Sequence, residues 1–393
     1  MPLKMISSDD VLYLDNNATT AIDPAVLEAM RPFLEKYFAN PSSGYRFATQ
    51  VREAIEQARE QVATLLGCEA AEVVFTSGGT ESNNTAIHSA LASRPDAKHI
   101  ITTAVEHSAV RNPVQQLEKR GYDVTFLTVD GSERINVREL SETIRADTAL
   151  VSVMWANNET GVVSPMQEVA EITQSKRVPL HTDAVQAVGK IPINLREIPM
   201  QFLSLSGHKL HAPKGVGALY INRRARFQPF VVGGSHERSR RAGTENAASI
   251  VGLGKAAEIA LAKLRDEETR VRALRDRFEK TLLEKVRGSR VNGADAPRLP
   301  NTSSFMFDGI ESEAALLMLD QQNLCCSAGS ACRTGSLKPS HVLTAMGLVN
   351  EQARASLRFS FGRFNTEAEL NRAVEIVPRV VAKLRALSPE MAG

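Results

Sequence analysis

Apolar positions along this chain switch between helical and strand spacing, and the switching lays out most of a fold. Asp23-Pro24 opens a helix by the cap-then-proline rule, with Val26, Leu27, Met30, Phe33 and Leu34 on one face. Asn40-Pro-Ser-Ser-Gly44 interrupts it, and a second amphipathic helix from about Phe47 to Leu66 closes at Gly67. The run from Glu72 to Ser77 reads as a buried strand that enters Gly78-Gly79-Thr80-Glu81-Ser82 and a further helix. The alternation continues through strands at 99–103, 124–128, 150–156 and 179–182, then through a strand ending at Ser206-Gly207 and another beginning at Gly215. Repetition of this kind with short connections predicts a mostly parallel sheet covered by helices on both faces.

From about Glu245 to Lys285 the pattern becomes long and helical, with Arg, Glu and Lys outside and Ala, Leu and Ile inside, as a bridge between domains would be. Beyond it, strands are predicted at 302–307, 324–327 and 356–361, and helices at 311–321, 339–346 and 366–387, which make a smaller α/β domain. No internal repeat or low-complexity tract interrupts the chain.

Chemistry concentrates at the ends of these strands. Lys209 follows Ser206-Gly207-His208 on a tight turn between two buried strands, where an amine loses solvation and becomes able to form a Schiff base with an aldehyde; a solvent-facing turn lysine is the alternative. Upstream, Asp183 in Leu180-His-Thr-Asp-Ala-Val-Gln186 lies at the carboxyl end of an apolar strand, where open α/β sheets place ligand groups. A carboxylate there can keep a pyridine nitrogen protonated, or simply cap a helix. The lysine and the aspartate together suggest pyridoxal 5′-phosphate. Gly78-Gly79-Thr80 at a strand-to-helix junction suits a phosphate, because glycines let backbone N–H groups approach and the helix presents its positive end, although an ordinary turn has the same sequence. His107 follows a strand and precedes a helix, where it either lies on a cofactor ring and relays protons or caps the helix. The segment Ser327-Ala-Gly-Ser-Ala-Cys-Arg-Thr-Gly-Ser-Leu-Lys338 has almost no apolar periodicity and reads as a mobile loop carrying Cys332, whose exposure beside Arg333 favours the thiolate. At least one of Cys325 and Cys326, at the preceding strand end, is expected to pack as a small hydrophobe.

Composition narrows the field. The 393 residues suffice for two domains and a large core. A net charge of +2 with both signs interspersed leaves no nucleic-acid or membrane footprint, and neither a secretory leader nor a spanning run is legible, so the expected compartment is the cytoplasm. Four cysteines, Cys68, Cys325, Cys326 and Cys332, are too few for a disulfide scaffold and form no C-x-x-C zinc pair, so free thiols and no intrinsic metal are expected.

These segments, together with Tyr13-Leu-Asp-Asn-Asn-Ala-Thr-Thr20, Val151-Ser-Val-Met-Trp-Ala-Asn-Asn-Glu-Thr-Gly161 and Arg241-Ala-Gly-Thr-Glu-Asn246, resemble the cysteine desulfurases of the NifS/IscS group, most nearly the nitrogen-fixation type, from about Leu12 to the last helix. The resemblance implies the fold type I architecture of pyridoxal-phosphate enzymes within the class V aminotransferase family. The expected organisation is a large cofactor-binding domain at 14–257 and a small domain of 1–13 with 258–393, which carries the cysteine loop at about 327–338. The implied reaction converts L-cysteine to L-alanine and leaves the sulfur as a persulfide on Cys332. Lys209 would hold the cofactor and move the Cα proton, Asp183 would keep the ring protonated, and His107 would stack on it. Gln186 would reach the ring hydroxyl and Asn158 the cofactor or substrate. Gly79, Thr80, Ser206 and His208 would hold the phosphate, with Thr244 from a second subunit of a homodimer, and Arg358 in Leu-Arg-Phe-Ser would clamp the substrate carboxylate. The implied partners are an iron–sulfur scaffold or another sulfur-acceptor protein, for nitrogenase or for general cluster assembly, and Cys332 is the residue that a transferred cluster would share. Two positions depart from the family pattern: Arg333 where serine or threonine usually follows the cysteine, and Ala328 where serine is usual. The alternative within the fold, a selenocysteine lyase or another β-eliminating enzyme, needs the same lysine and aspartate but no loop cysteine.

Overall fold

The computed structural model describes residues 7, 10–328 and 339–387. Among these, the chain starts with a short strand, β1 (Leu12–Tyr13), and a helix, α1 (Pro24–Glu35), whose cap Asp23 accepts from the Ala25 N–H at 2.9 Å. Helix α2 (Arg46–Leu66) ends where Gly67 adopts a φ of 66°, a left-handed conformation in which a side chain would be strained. The strands and helices that follow are β2 (Val73–Thr76), α3 (Gly79–Ala92), β3 (His99–Thr103), α4 (Ser108–Glu118), β4 (Asp123–Leu127), α5 (Val137–Thr143), β5 (Thr148–Ser152), α6 (Met166–Ser175), β6 (Leu180–Asp183), β7 (Phe202–Ser206) and β8 (Gly217–Ile221). They build a seven-stranded sheet of order β2-β8-β7-β6-β5-β3-β4, in which β8 runs antiparallel to both neighbours and the other pairs are parallel. The carboxyl ends of β2, β3, β5, β6 and β7 therefore open on one edge.

Helix α7 (Ala247–Asp266) passes through a π turn at Glu267–Val271 into α8 (Arg272–Lys285), so the bridge expected at 245–285 is nearly continuous. Ile250, Leu253, Ala256, Ala257 and Ala260 pack into the core beneath the large sheet, whereas Val271, Leu274, Phe278 and Leu282 belong to a second core with Phe305, Phe307, Phe359 and Phe361. This second core lies among β9 (Ser289–Val291), β10 (Thr302–Phe307), α9 (Ser312–Asp320), β11 (Leu324–Cys325), β12 (Ser327–Ala328), β13 (Ser356–Ser360) and α12 (Glu367–Leu387), whereas Val342 and Leu343 of α10 (His341–Ala345) and Ala353 of α11 (Asn350–Arg354) form a separate small cluster with Val105 and Met346. The four-stranded sheet of the second core is antiparallel, in the order β12-β13-β10-β9.

Three expectations are corrected. The strand expected at 324–327 splits, β11 pairing with β1 and β12 with β13, so that Ser327 and Ala328 are sheet residues rather than loop. Strand β5 begins two residues early, although Val153 and Trp155 still donate to the carbonyls of His181 and Asp183 at 3.1 and 2.9 Å. Leu27 and Leu34, on the apolar face of α1, are exposed at 43% and 63%, because α1 buries only the narrower stripe of Val26 and Met30.

Helices α2 and α7 approach closely at a glycine. A Cβ on Gly254 would lie 2.5 Å from the Ala58 Cα and 2.6 Å from its Cβ, backbone-anchored atoms that cannot step aside. Gly254→Ala is therefore expected to cost about 1–3 kcal/mol from overpacking, more than the ~1 kcal/mol that alanine's helix propensity returns. Urea unfolding should show a lower midpoint at unchanged slope; an equal or higher midpoint would contradict the packing account.

Candidate active site

The carboxyl ends of five strands enclose a cavity of about 290 Å³, lined among others by Asn17, Gly79, Thr80, Asn83, His107, Asn158, Asp183, Gln186, Ser206, His208, Lys209 and Arg358. The large sheet places most of them by register. Asp183 is the last residue of β6 and pairs with Ser204 of β7, so the turn Gly207–Lys209 that follows β7 stands beside it. Lys209 Nζ donates to the backbone carbonyls of Asn17 and, at 2.6 Å, of Ala18. The Asp183 carboxylate accepts from Asn83 Nδ2 at 2.7 Å and from the Val185 N–H at 3.0 Å.

His107 caps its helix, one of the two alternatives expected of it, and also stands at the cavity. Its Nδ1 accepts from the Ala109 N–H at 3.1 Å as the cap of α4, which leaves the proton on Nε2, and its ring lines the cavity. Near the phosphate-type junction, burial and the neighbouring lysines Lys209, Lys214 and Lys190 push His208 down to about 4, so the ring is neutral at pH 7. Gln186 Nε2 donates to the Asn17 carbonyl at 3.0 Å. Arg358, on β13 of the smaller sheet, donates to the Asn158 carbonyl at 2.8 Å and to Asp15 at 2.7 Å. Asp15 also accepts from Ser327 Oγ at 2.9 Å, which ties Arg358 to the first residue of β12.

Pyridoxal phosphate fits this donor set. Gly78 (φ 150°) and Gly79 open the amino end of α3, and a Cβ on Gly79 would lie 2.7 Å from Val185 Cγ2, so the backbone N–H groups of the first turn stay open to an anion. The buried Nε of Arg358 and Oδ1 of Asn83 have no hydrogen-bond partner among the described residues, as groups awaiting a ligand would. Thr244 lies elsewhere, in a separate cavity with Ser77, Arg241 and Gly243. Cys332 and Arg333 lie outside the described residues. Burial raises the thiols of Cys325 and Cys326, and pushes that of Cys68 up to about 12, so these three are poor nucleophiles.

Several residues at the site carry no expectation from sequence. Asn83 lies one helical turn from Gly79 and Thr80, so the helix period alone could have found it. Asn17 stands in the quoted motif at 13–20 without an assigned role. Glu106 and Glu159 are buried carboxyls behind the cavity. Glu106 accepts from Thr103 Oγ1 at 2.9 Å and from the Met154 N–H at 2.8 Å, while Glu159 accepts from Ser340 Oγ at 2.5 Å. Desolvation pushes Glu106 up to about 8 and Glu159 to about 7.

A raised carboxyl has a defined sign in stability. Folded Glu106 keeps a proton that the unfolded chain releases near 4.5, so its contribution is complete below pH 4.5 and is lost as pH rises towards 8. Glu106→Gln, neutral at every pH and able to accept the same two hydrogen bonds, should gain thermal stability relative to the parent between pH 6 and pH 9. Melting curves that stay parallel over that range would show that Glu106 is ionised when folded.

The model of the class-V aminotransferase family matches residues 12–373. The chain is 52% identical over 379 residues to a cysteine desulfurase of Trichormus azollae, covering 96% of this chain and 95% of the relative. It is 50% identical over 383 residues to the cysteine desulfurase NifS of Azotobacter vinelandii, with coverage of 97% and 95%. A solved NifS-like protein superposes with a TM-score of 0.89 at 34% identity, over 95% of this chain and 100% of that one. The chain belongs to the class-V aminotransferase family, in its group of cysteine desulfurases.

Proposed function

We propose that this cysteine desulfurase takes L-cysteine at the Arg358 end of the cavity, moves its Cα proton with Lys209 and delivers its sulfur to Cys332. The supporting observation is the convergence of Lys209, Asp183, His107, Asn158 and Arg358 on one cavity from two different sheets. Pyridoxal phosphate, when bound, supplies an aldehyde that takes an amine and a ring that withdraws electrons from the bonds to Cα.

The chain's own groups do the rest. Arg358 offers its Nε–H, without a partner among the described residues, to the substrate carboxylate, while Asp15 and the Asn158 carbonyl hold the guanidinium plane. Lys209 would be the base that takes the Cα proton and later returns it; its turn after β7 keeps it beside Asp183, which would pair with the ring nitrogen. Neutral His208, with Ser206, Thr80 and the α3 N–H groups, receives a dianionic phosphate without adding charge of its own. The Cys332 thiolate attacks the substrate sulfur, an S–S bond forms, and the Cβ–S bond breaks with its electron pair staying on carbon. The sulfur is oxidised to the persulfide level, the carbon skeleton is reduced, and protonation gives alanine.

The likeness to desulfurases of both the NifS and the IscS kind agrees with a role in feeding sulfur to an iron–sulfur scaffold or another acceptor protein, for nitrogenase or for general cluster assembly. A cytoplasmic setting agrees with the absence, among the described residues, of a helix long and apolar enough to cross a membrane. A homodimer is supported by Thr244, which lines a cavity apart from its own chain's site, and by the exposed Leu34, Phe38 (79%) and Val232 (79%).

Single-turnover reaction with L-cysteine, followed by trapping and peptide mass mapping, should place the persulfide on Cys332. Cys332→Ser should still bind cysteine, seen as a shift of the cofactor's visible band, while carrying no persulfide. Label on Cys325 or Cys326, or undiminished alanine formation by Cys332→Ser, would move the nucleophile off the 327–338 segment. Thr244→Ala should loosen the cofactor by about 1.5–3 kcal/mol, the worth of one hydrogen bond to a charged group; an active species that sediments as a monomer would contradict the shared site.

A further inference from the structure

Lys190 is an ammonium group that the reaction as proposed does not use. It is 6% exposed and sits behind the cavity wall, where its Nζ donates to Gln186 Oε1 at 2.8 Å and to Asn17 Oδ1 at 3.3 Å. Asn17 Oδ1 also accepts from Asn301 Nδ2 at 3.0 Å, so the contact ties the large sheet's edge to residues beside β10. A lysine at this depth needs a reason, because burying an ammonium is expensive unless it is paired.

Its effect on Gln186 is directional. An ammonium has no acceptor, so the amide atom against it must be Oε1, and Nε2 is then turned to the Asn17 carbonyl, which requires a donor. The flipped amide would set NH2 against the ammonium and oxygen against a carbonyl, two repulsions in place of two hydrogen bonds. The same Asn17 carbonyl accepts from Lys209 Nζ. Lys190, Gln186, Asn17 and Lys209 thus form one polar chain that ends on the cofactor amine.

A counter-charge is built in as well. Glu267, 7% exposed, is the first residue of the π turn between α7 and α8, a rare backbone form often found at functional sites. Its carboxylate supports the Lys190 charge, while Arg358 opposes it; Lys190 in turn lowers His208 and His211, both neutral at pH 7. Burial pushes the Lys190 amine down, and the Glu267 carboxylate offsets part of that fall.

We propose that Lys190 is a positioning residue whose ammonium locks the Gln186 amide in its donor-inward orientation and, through its charge, lowers the proton affinity of the Lys209 nitrogen in the holoenzyme. This rests on the reading of Lys209 as the cofactor lysine and Gln186 as a ring contact.

The test is a pH titration of the cofactor's visible absorption band in purified holoenzyme. Lys190→Met removes a nearby positive charge, so the apparent pKa of the band should rise by about one unit, and Lys190→Arg should restore it to the parent value. If the methionine variant does not fold, Lys190→Gln, neutral but still able to donate, should show the same rise. A parent-like pKa in the neutral variants, or an equal rise in Lys190→Arg, would overturn the proposal. Loss of the band's titration in Lys209→Ala checks the underlying assignment separately: a band that titrates unchanged there would sink the Lys209 reading itself, whatever Lys190 does.

Discussion

The backbone carbonyl of Asn17 accepts hydrogen bonds from both Lys209 and Gln186, and the same residue's side chain reaches Lys190, Asn301, Thr302 and the carbonyl of Asn158. Its N–H donates to Ser360 Oγ at 2.9 Å on β13. One buried amide therefore joins the turn after β7, the segment after β6, the segment after β5 and two strands of the smaller sheet. The cavity depends on this junction, because Arg358 arrives from the second sheet, Asn17 and Ala18 from the segment after β1, and Asp183, Ser206 and Lys209 from the strand ends of the first. A buried polar network of this kind holds only if each member is satisfied, and in a low dielectric each unsatisfied member costs heavily. That constraint explains the run of asparagines and threonines around residues 15–20, where apolar residues would pack as well but could not tie two sheets together.

The fold was legible in the sequence where periodicity is long. Helices of three turns or more and the buried strands of the large sheet announce themselves by spacing, and the position of Lys209 and Asp183 follows from where strands end. The strand pair β11 and β12 was not legible, since two residues carry no period and Cys326 between them turns the chain from one sheet to the other. The exposed Leu27 and Leu34 show the opposite failure: an apolar stripe wider than the surface available inside one chain.

At the site, residues whose chemistry is visible by type were found, and those whose role comes from burial were not. Glu106 stands beside His107 in sequence and looks like a solvated acid. Glu267 falls within Arg-Asp-Glu-Glu-Thr-Arg, which reads as an exposed helical face, and only the π turn rotates it inward. Lys190 follows Gly189 at what looks like a surface turn. Each is ionisable yet less than a tenth exposed, and each has its proton affinity moved by the environment rather than by its own chemistry. His181 is a contrasting case: hydrogen bonds with Ser152 at 2.8 Å and Ser204 at 3.0 Å, one accepted and one donated, flank a ring that burial holds neutral, and its work is to knit β5, β6 and β7 together.

The central claim is that Lys209, held by the carbonyls of Asn17 and Ala18 beside Asp183, is the amine that carries the cofactor. Borohydride reduction of the holoenzyme, followed by proteolysis and mass mapping, fixes the cofactor to whichever lysine holds it. The account predicts the reduced pyridoxyl group on Lys209 and on neither of its neighbours; modification of Lys190 or Lys214 instead would contradict it.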